Sequence, residues 1–297
     1  MPSRAPSAVE VTRPDKLLWP DLGITKQRYV DYLGAVAAHV LPWLRDRPLT
    51  LVRGPDGVRG PSYYQKQISG YAPPWIRRVR VPAPSAGRDV DHVVCNDAAT
   101  LAWLGNQASL ELHMAPLRAD ILDRLDLLVV DIDPPDGAFH AAVEVALLVL
   151  EALDEHGLGS GIKTTGGKGL HVVVPFERRV ETVDLRRAAA TLTAAVTSRR
   201  PDLATDAFRK SDRAGRVMLD PSRNGPGATI VAPFSPRARP EGTVSFPVVA
   251  EDLPDVHPDM FTLTTVPEQL DAAGPRHWGS LLERRQRLPA ALFDPGP

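Results

Sequence analysis

The chain has 297 residues, room for one large domain or two of ordinary size, and its 43% hydrophobic content supports a substantial core. No uninterrupted apolar run approaches the ~18 residues of a membrane span, the first residues lack the apolar stretch of a signal peptide, and a single Cys95 excludes an internal disulfide or a cysteine-rich zinc site. A soluble, cytoplasmic protein is expected. Net charge is −1, but residues 163–239 carry 15 Lys/Arg against 7 Asp/Glu, while residues 241–297 carry 4 against 9. That asymmetry suits a phosphate-facing surface, or simply solvated helix faces around Arg186-Arg187 and Arg199-Arg200.

Residues 1–14 read as a loose lead-in. Thr25 is placed to cap a helix from Lys26 to about Leu44, with Tyr29, Leu33, Val36 and Val40 as its apolar stripe. Pro48–Arg53 reads as a strand, Gly54–Gly57 as a turn and Ser62–Lys66 as the returning strand of a hairpin. A proline-rich passage then runs over the surface to a short strand at Val90–Val94. A helix is expected from Asp97 to about Leu112 and a strand up to Asp133. A long helix follows from about Ala138 to His156, stopped by Gly157. Ile162–Thr165 and Leu170–Val174 form two strands around a glycine turn, followed by a helix over about Val183–Arg199. Strands ending at Asp220, at Thr229–Val231 and at Val244–Val248 come next. Helices around Val266–Ala272 and Trp278–Arg287 close the chain.

The chemistry gathers on acidic side chains. Asp131 and Asp133 close the apolar run Leu125–Asp133, and side chains i and i+2 of a strand share a face. Asp220 closes a second run, Arg216–Asp220. Carboxylates held together repel unless cations lie between them, and a third completes a site for hard divalent ions. This is the equipment of two-metal phosphoryl chemistry. Between the runs lies Lys163-Thr-Thr-Gly-Gly-Lys-Gly-Leu-His171. It is not a Walker A loop, because Ile162 stands where that motif needs glycine and Gly169 follows Lys168. An ordinary tight hairpin is the plain alternative to a phosphate cradle. Asp131-Ile-Asp133 also has the DxD form of a phosphatase nucleophile, but Pro135 departs from that pattern.

In order along the chain stand Asp15–Lys26, Pro48–Arg53, Tyr63-Tyr64-Gln-Lys66, Asn96–Leu101, Asn106-Gln107, His113, Asp131-Ile-Asp-Pro, Lys163–His171, Leu219–Asn224 and Ala232–Pro240. This ordered set resembles the polymerase domain of bacterial DNA ligase D, a non-homologous end-joining polymerase of the archaeo-eukaryotic primase superfamily, over about residues 9–290. The resemblance implies an α/β (α+β) primase-polymerase fold, an RRM-like mixed sheet flanked by helices. It implies one domain over 1–297, with an N-terminal part at about 15–115, a catalytic core at about 116–250 and a helical tail at about 251–297. It makes Asp131, Asp133 and Asp220 the ligands of two manganese or magnesium ions. It places Arg53, His113, Gly167, Lys168, His171, Arg237 and Arg239 on the nucleotide, the two arginines on one face of an extended segment. Lys16 and Lys26 would grip a DNA 5′-phosphate. Tyr63 and Tyr64 would meet a base beside Lys66, with only one ring able to face DNA and the other packing.

The implied reaction is template- or end-directed addition of nucleotides, often ribonucleotides, to DNA 3′ ends in gap filling or end joining. Implied partners are DNA with 5′-phosphate ends, gaps or 3′ overhangs, an NTP or dNTP, a Ku-type protein and a separate DNA ligase, all at the nucleoid. A primer-independent primase, a metal-dependent phosphatase and an inert DNA-end-binding module are the rivals. Two departures stand out: Gly167 where the family often has serine, and Pro221 after the third aspartate, which should end that strand without moving its carboxylate. The chain carries no ligase or phosphoesterase motif and reads as a stand-alone polymerase or a domain of a longer protein.

Overall fold

Short leucine- and valine-rich runs without a polar face suit buried strands, and several such runs organise the molecule. A computed structural model describes residues 8–83, 87–178, 180–273, 278–284 and 286–293. Its elements are β1 (Leu17–Trp19), β2 (Ile24–Thr25), α1 (Lys26–Ala35), α2 (Ala37–Leu44), β3 (Pro48–Arg53), β4 (Tyr63–Gln65), β5 (Arg78–Ala83), β6 (Arg88–Val94), α3 (Ala98–Asn106) and β7 (Ser109–Met114). Then come β8 (Leu117–Arg118), β9 (Ile121–Leu125), β10 (Leu127–Asp133), α4 (Phe139–Asp154), β11 (Gly161–Thr164), β12 (Leu170–Pro175), α5 (Thr182–Arg199), β13 (Ala204–Thr205) and β14 (Val217–Asp220). Last are β15 (Ile230–Val231), β16 (Pro247–Val248), α6 (Val266–Ala273), α7 (Trp278–Leu281) and α8 (Ala290–Phe293). The chain divides into two compact units.

The first unit runs through Leu122 and takes in Thr229–Ser245 and the segment from Phe261. Its sheet has the order β15-β7-β3-β6-β5, with β4 hung on β3 through Val52↔Tyr64 and Arg53↔Tyr63. Every residue of β3 and β7 is buried. Thr25 caps α1 as expected, its Oγ1 accepting from Arg28 N at 3.3 Å. The single helix expected to Leu44 is broken at Val36, two residues after Gly34, where weak helix formers coincide.

A larger correction concerns residues 107–114. The helix capped by Asp97 stops at Asn106, Ala108 turns the chain at φ 53°, and Ser-Leu-Glu-Leu-His-Met becomes β7. The alternation of that hexapeptide is strand-like once the helical frame is dropped. Arg78–Ala83, inside the proline-rich passage, is an edge strand, the place where Pro82 costs no ladder bond.

The second unit holds Asp123–Ala228, Phe246–Met260 and the described residues from Trp278. Its sheet order is β13-β14-β10-β12-β11-β16, antiparallel except for β13 against β14. α4 and α5 pack on it through faces led by Val145, Val149, Leu185 and Leu192. Gly157, at φ 66°, follows the end of α4. Two expectations shrink here. Of Val244–Val248 only Pro247–Val248 is strand, with Val244 in an isolated bridge to Pro236 in the first unit. The last expected helix ends at Leu281, and Gln286 instead pairs its amide with both backbone groups of Gly159.

Candidate active site

In the second unit, sheet register collects the chemistry. Lys163 pairs with His171, His171 with Asp131, and Asp131 with Asp220, so one row crosses four strands on one face. Directly opposed residues hold their Cβ atoms about 4.5–5.5 Å apart. Asp133 shares the face two residues on. Asn224 fixes the centre of the row. Its side-chain amide accepts from Val129 N at 2.8 Å and donates to Val129 O at 2.7 Å, two residues before Asp131. β14 does end at Asp220, and Asp220 Oδ1 then caps the Pro221–Asn224 turn by accepting from Ser222 N at 2.8 Å.

The hairpin that delivers His171 needs its glycines. Gly166 sits at φ 64°, and a Cβ on Gly169 would lie 2.3 Å from the Ile132 carbonyl oxygen. Thr165 Oγ1 ties the turn together, accepting from Gly167 N and Gly169 N and donating to Gly169 O.

Each carboxylate already meets a cation. Arg223 Nε lies 2.9 Å from Asp131 Oδ2 and 3.7 Å from Asp220 Oδ2, so one guanidinium spans both. Lys168 Nζ is 3.3 Å from Asp133 Oδ1, and Arg213 donates to Asp133 Oδ2 at 2.8 Å. His171 Nε2 is 3.4 Å from Asp131 Oδ1, and its buried Nδ1 has no hydrogen-bond partner among the described residues. Burial, then the charge of Lys163, push the imidazole down to about 4 against the pull of Asp131. The ring is therefore neutral at pH 7. Burial alone would raise the Asp131 pKa, but its basic neighbours hold it below the usual carboxylate range, and at neutral pH the acting charge is Arg223.

The trio was expected to converge on cations. The strands place all three on one face, yet among the described residues no three acidic, His or Cys side chains are drawn around a single point. They turn onto Arg223, Lys168 and Arg213 instead. The donor set still fits hard divalent ions: oxygen ligands from adjacent strands, with a guanidinium standing where a cation is required between two of them.

In the first unit a second cluster surrounds Glu111, which the sequence reading passed over. Its Oε2 lies 2.7 Å from His113 Nε2 and 3.1 Å from Arg237 Nε, and its Oε1 accepts from Ala238 N at 2.9 Å. Burial would raise its pKa; His113, Arg237 and the Ala238 amide outweigh that and bring it down to about 2. Arg237 and Arg239 do not stand on an extended segment: Arg239 N donates to Arg237 O at 2.8 Å in a tight turn. Arg53 is buried, donating to Gln107 O, Gln65 Oε1 and Tyr71 Oη.

Tyr63 and Tyr64 are 49% and 70% exposed, so neither is buried, because β4 is a three-residue strand at the rim. The Tyr64 ring meets the His113 ring edge-on at 6.0 Å, and Lys66 is exposed. Lys26 is buried and donates to Thr12 O at 2.6 Å, while Lys16 pairs with Asp56 at 2.7 Å. Burial and the charges of Lys16 and Arg13 lower the Lys26 pKa, the mark of cations pressed together.

The family model described as LigD, primase-polymerase domain, matches residues 25–277. The chain belongs to that family. Its members are metal-dependent nucleotidyltransferases, the polymerase domains of LigD-type non-homologous end joining proteins. The multifunctional LigD of Pseudomonas aeruginosa is 33% identical over 294 residues, 98% of this chain and 35% of its own length. That of Mycobacterium tuberculosis is 35% identical over 268 residues, 86% of this chain and 34% of its own. The chain thus spans about a third of the LigD proteins it matches. The solved polymerase domain from Mycobacterium tuberculosis ligase D in complex with DNA superposes with a TM-score of 0.87 at 31% identity, covering 95% of this chain and 100% of that one.

Within this LigD polymerase domain, Arg223, Arg213, Lys163 and Glu111 are the site residues that sequence reasoning missed. Arg223 had a legible signal, lying three residues after Asp220 in a turn opened by proline. Arg213 had none, since it reaches Asp133 from 80 residues away. Fully buried Lys163 was legible only as part of the glycine-turn motif.

Proposed function

We propose that this chain adds nucleotides to DNA 3′ ends for gap filling and non-homologous end joining. The reaction is attack of a primer 3′-hydroxyl on the α-phosphate of a nucleoside triphosphate, releasing pyrophosphate. The observation that carries this reading is the face shared by Asp131, Asp133 and Asp220, with a cation against each, in a chain of the LigD polymerase family. The three aspartates would hold two divalent ions, manganese or magnesium, which lower the pKa of the attacking hydroxyl and neutralise the leaving group.

Around them, Lys168 offers a positive charge to the triphosphate, and neutral His171 lies beside Asp131, 3.4 Å away, where the family pattern assigns it to the nucleotide. Donors fixed before reaction are worth most where charge develops. In the first unit the family pattern assigns Arg53, His113, Arg237 and Arg239 to nucleotide, Tyr63, Tyr64 and Lys66 to DNA bases and backbone, and Lys16 with Lys26 to a 5′-phosphate. The crowded cations around Lys26 support the last of these, since an anion would relieve their repulsion. A Ku-type end-binding protein and a DNA ligase are the partners such a reaction calls for, at the nucleoid.

One gel tests the reading. A labelled 3′-overhang DNA is incubated with manganese and each NTP or dNTP in turn. The unchanged chain should extend the primer, and Asp131→Ala should not, while still shifting the DNA. Near-normal extension by Asp131→Ala would refute the assignment; phosphate release without extension would favour a phosphatase.

A further inference from the structure

Residues 57–88 contain no Asp or Glu but six Lys/Arg (Arg59, Lys66, Arg77, Arg78, Arg80 and Arg88) and four aromatic residues, Tyr63, Tyr64, Tyr71 and Trp75. Basic residues interleaved with aromatic ones are the composition of a single-strand surface, where the cations follow the backbone and the rings take the bases. Tyr63 and Tyr64 already have a reading. Tyr71 does not, and it is 65% exposed.

An exposed tyrosine normally samples its rotamers freely. This one does not, because its hydroxyl is fixed at both ends. Tyr71 Oη accepts from Arg53 Nη1 at 3.1 Å and donates to Gln107 Oε1 at 3.1 Å. Arg53 is itself clamped, by Gln107 O at 2.9 Å and Gln65 Oε1 at 3.1 Å. Gln65 belongs to the strand that carries Tyr63 and Tyr64, and it is held by Gln67 O and Ser69 Oγ. The ring is thus anchored at its tip and open over its faces. Holding a large apolar face in water has no folding benefit; holding it ready for a flat partner removes the ordering cost of binding. A nucleobase is such a partner, and every base offers a π-face.

We propose that Tyr71 is a stacking platform for an unpaired DNA base, extending the aromatic surface of Tyr63 and Tyr64, with Arg53 and Gln107 as the residues that position its ring. This rests on the reading of the chain as a DNA-end enzyme, and the test separates the two.

Affinity is measured by fluorescence anisotropy on the full chain, without nucleotide or metal, for a labelled duplex with a 3′ overhang and for the same duplex made blunt. Tyr71→Ala should bind the overhang DNA about tenfold more weakly and the blunt DNA within about twofold of the unchanged chain. Tyr71→Phe, which keeps the ring but frees it, should fall between. Abasic sites in the overhang should weaken the unchanged chain more than Tyr71→Ala and bring the two within about twofold of each other. Equal overhang affinity in Tyr71→Ala and the unchanged chain overturns the proposal. So does equal weakening on both DNAs, which would make Tyr71 a strut for the Arg53 network or a contact for duplex or protein. If the unchanged chain binds neither DNA, the DNA-end reading itself fails.

Discussion

Asp131, 14% exposed, and Glu111, 7% exposed, are two enclosed carboxylates with the same neighbours: a histidine on one side and an arginine on the other. Glu111 is balanced. His113, Arg237 and the Ala238 amide meet both its oxygens, and its register partner on β3 is the apolar Val52. Asp131 is balanced from the surface, where water screens its partner. Asp133 and Asp220 stand on its face, and the cations that offset them come from outside the row, Arg223 and Lys168 being 43% and 37% exposed. One arrangement is finished by the protein; the other is left to long side chains that a stronger cation can displace. Residue type does not separate a structural acid from a reactive one here. Crowding of like charge does.

The largest consequence is a split between activity and stability. Asp131→Asn should lower the rate of nucleotide addition by at least about 100-fold and cost less stability than Glu111→Gln, because the cation that favours its charge, Arg223, is 43% exposed and screened by water, and Asp133 and Asp220 share its face. A fall in melting temperature as large as that of Glu111→Gln would mean that Asp131 is held as Glu111 is, and the contrast would fail.

Glu111→Gln should cost more stability, about 2–3 kcal/mol at pH 7 in urea unfolding, the value of a charged, multiply bonded acid whose pKa falls from 4.5 to about 2. The pH dependence has a definite sign. The folded pKa lies below the unfolded one, so this stabilisation is complete above about 4.5 and is lost as pH falls toward about 2. The gap between the unchanged chain and Glu111→Gln should close over that window. A gap independent of pH would show that shape, not charge, makes Glu111 matter.

Much of this contrast was hidden in the sequence. The carboxylate trio was legible because two aspartates two apart at the end of an apolar run can only share a face. The hairpin with Lys168 and His171 was legible because its glycines mark the turn. Glu111 was not, because Asp97 opens a genuine helix and nothing local says that it stops at Asn106; the register of β7 against β3 decides that. The exposure of both Tyr63 and Tyr64 was equally hidden, since alternation predicts one buried face only for a strand covered by neighbours. Nor does any local pattern announce that Arg223 and Arg213 fold back on the acids.

A smaller effect concerns the cations themselves. If Arg223 and Lys168 stand in for metal, manganese at ten times its dissociation constant should stabilise the unchanged chain by about 1.4 kcal/mol, a rise of roughly 3–6 °C. Asp131→Asn should show little of that rise, and Glu111→Gln should show all of it. Equal shifts in both variants would place the ion elsewhere.

The smallest effect calibrates the rest. Tyr29, buried in α1, donates its hydroxyl to the Ser109 carbonyl at 2.6 Å, at the start of the strand that carries Glu111 and His113. It supports the same strand as Glu111 but with a neutral bond. Tyr29→Phe removes one donor from a buried carbonyl and leaves the packing, so urea unfolding should show a loss of about 1 kcal/mol, with no dependence on pH between 2 and 7. A loss as large as that of Glu111→Gln would mean that any break in β7 destabilises the first unit to the same degree, and the special weight given to the charge on Glu111 would have no basis.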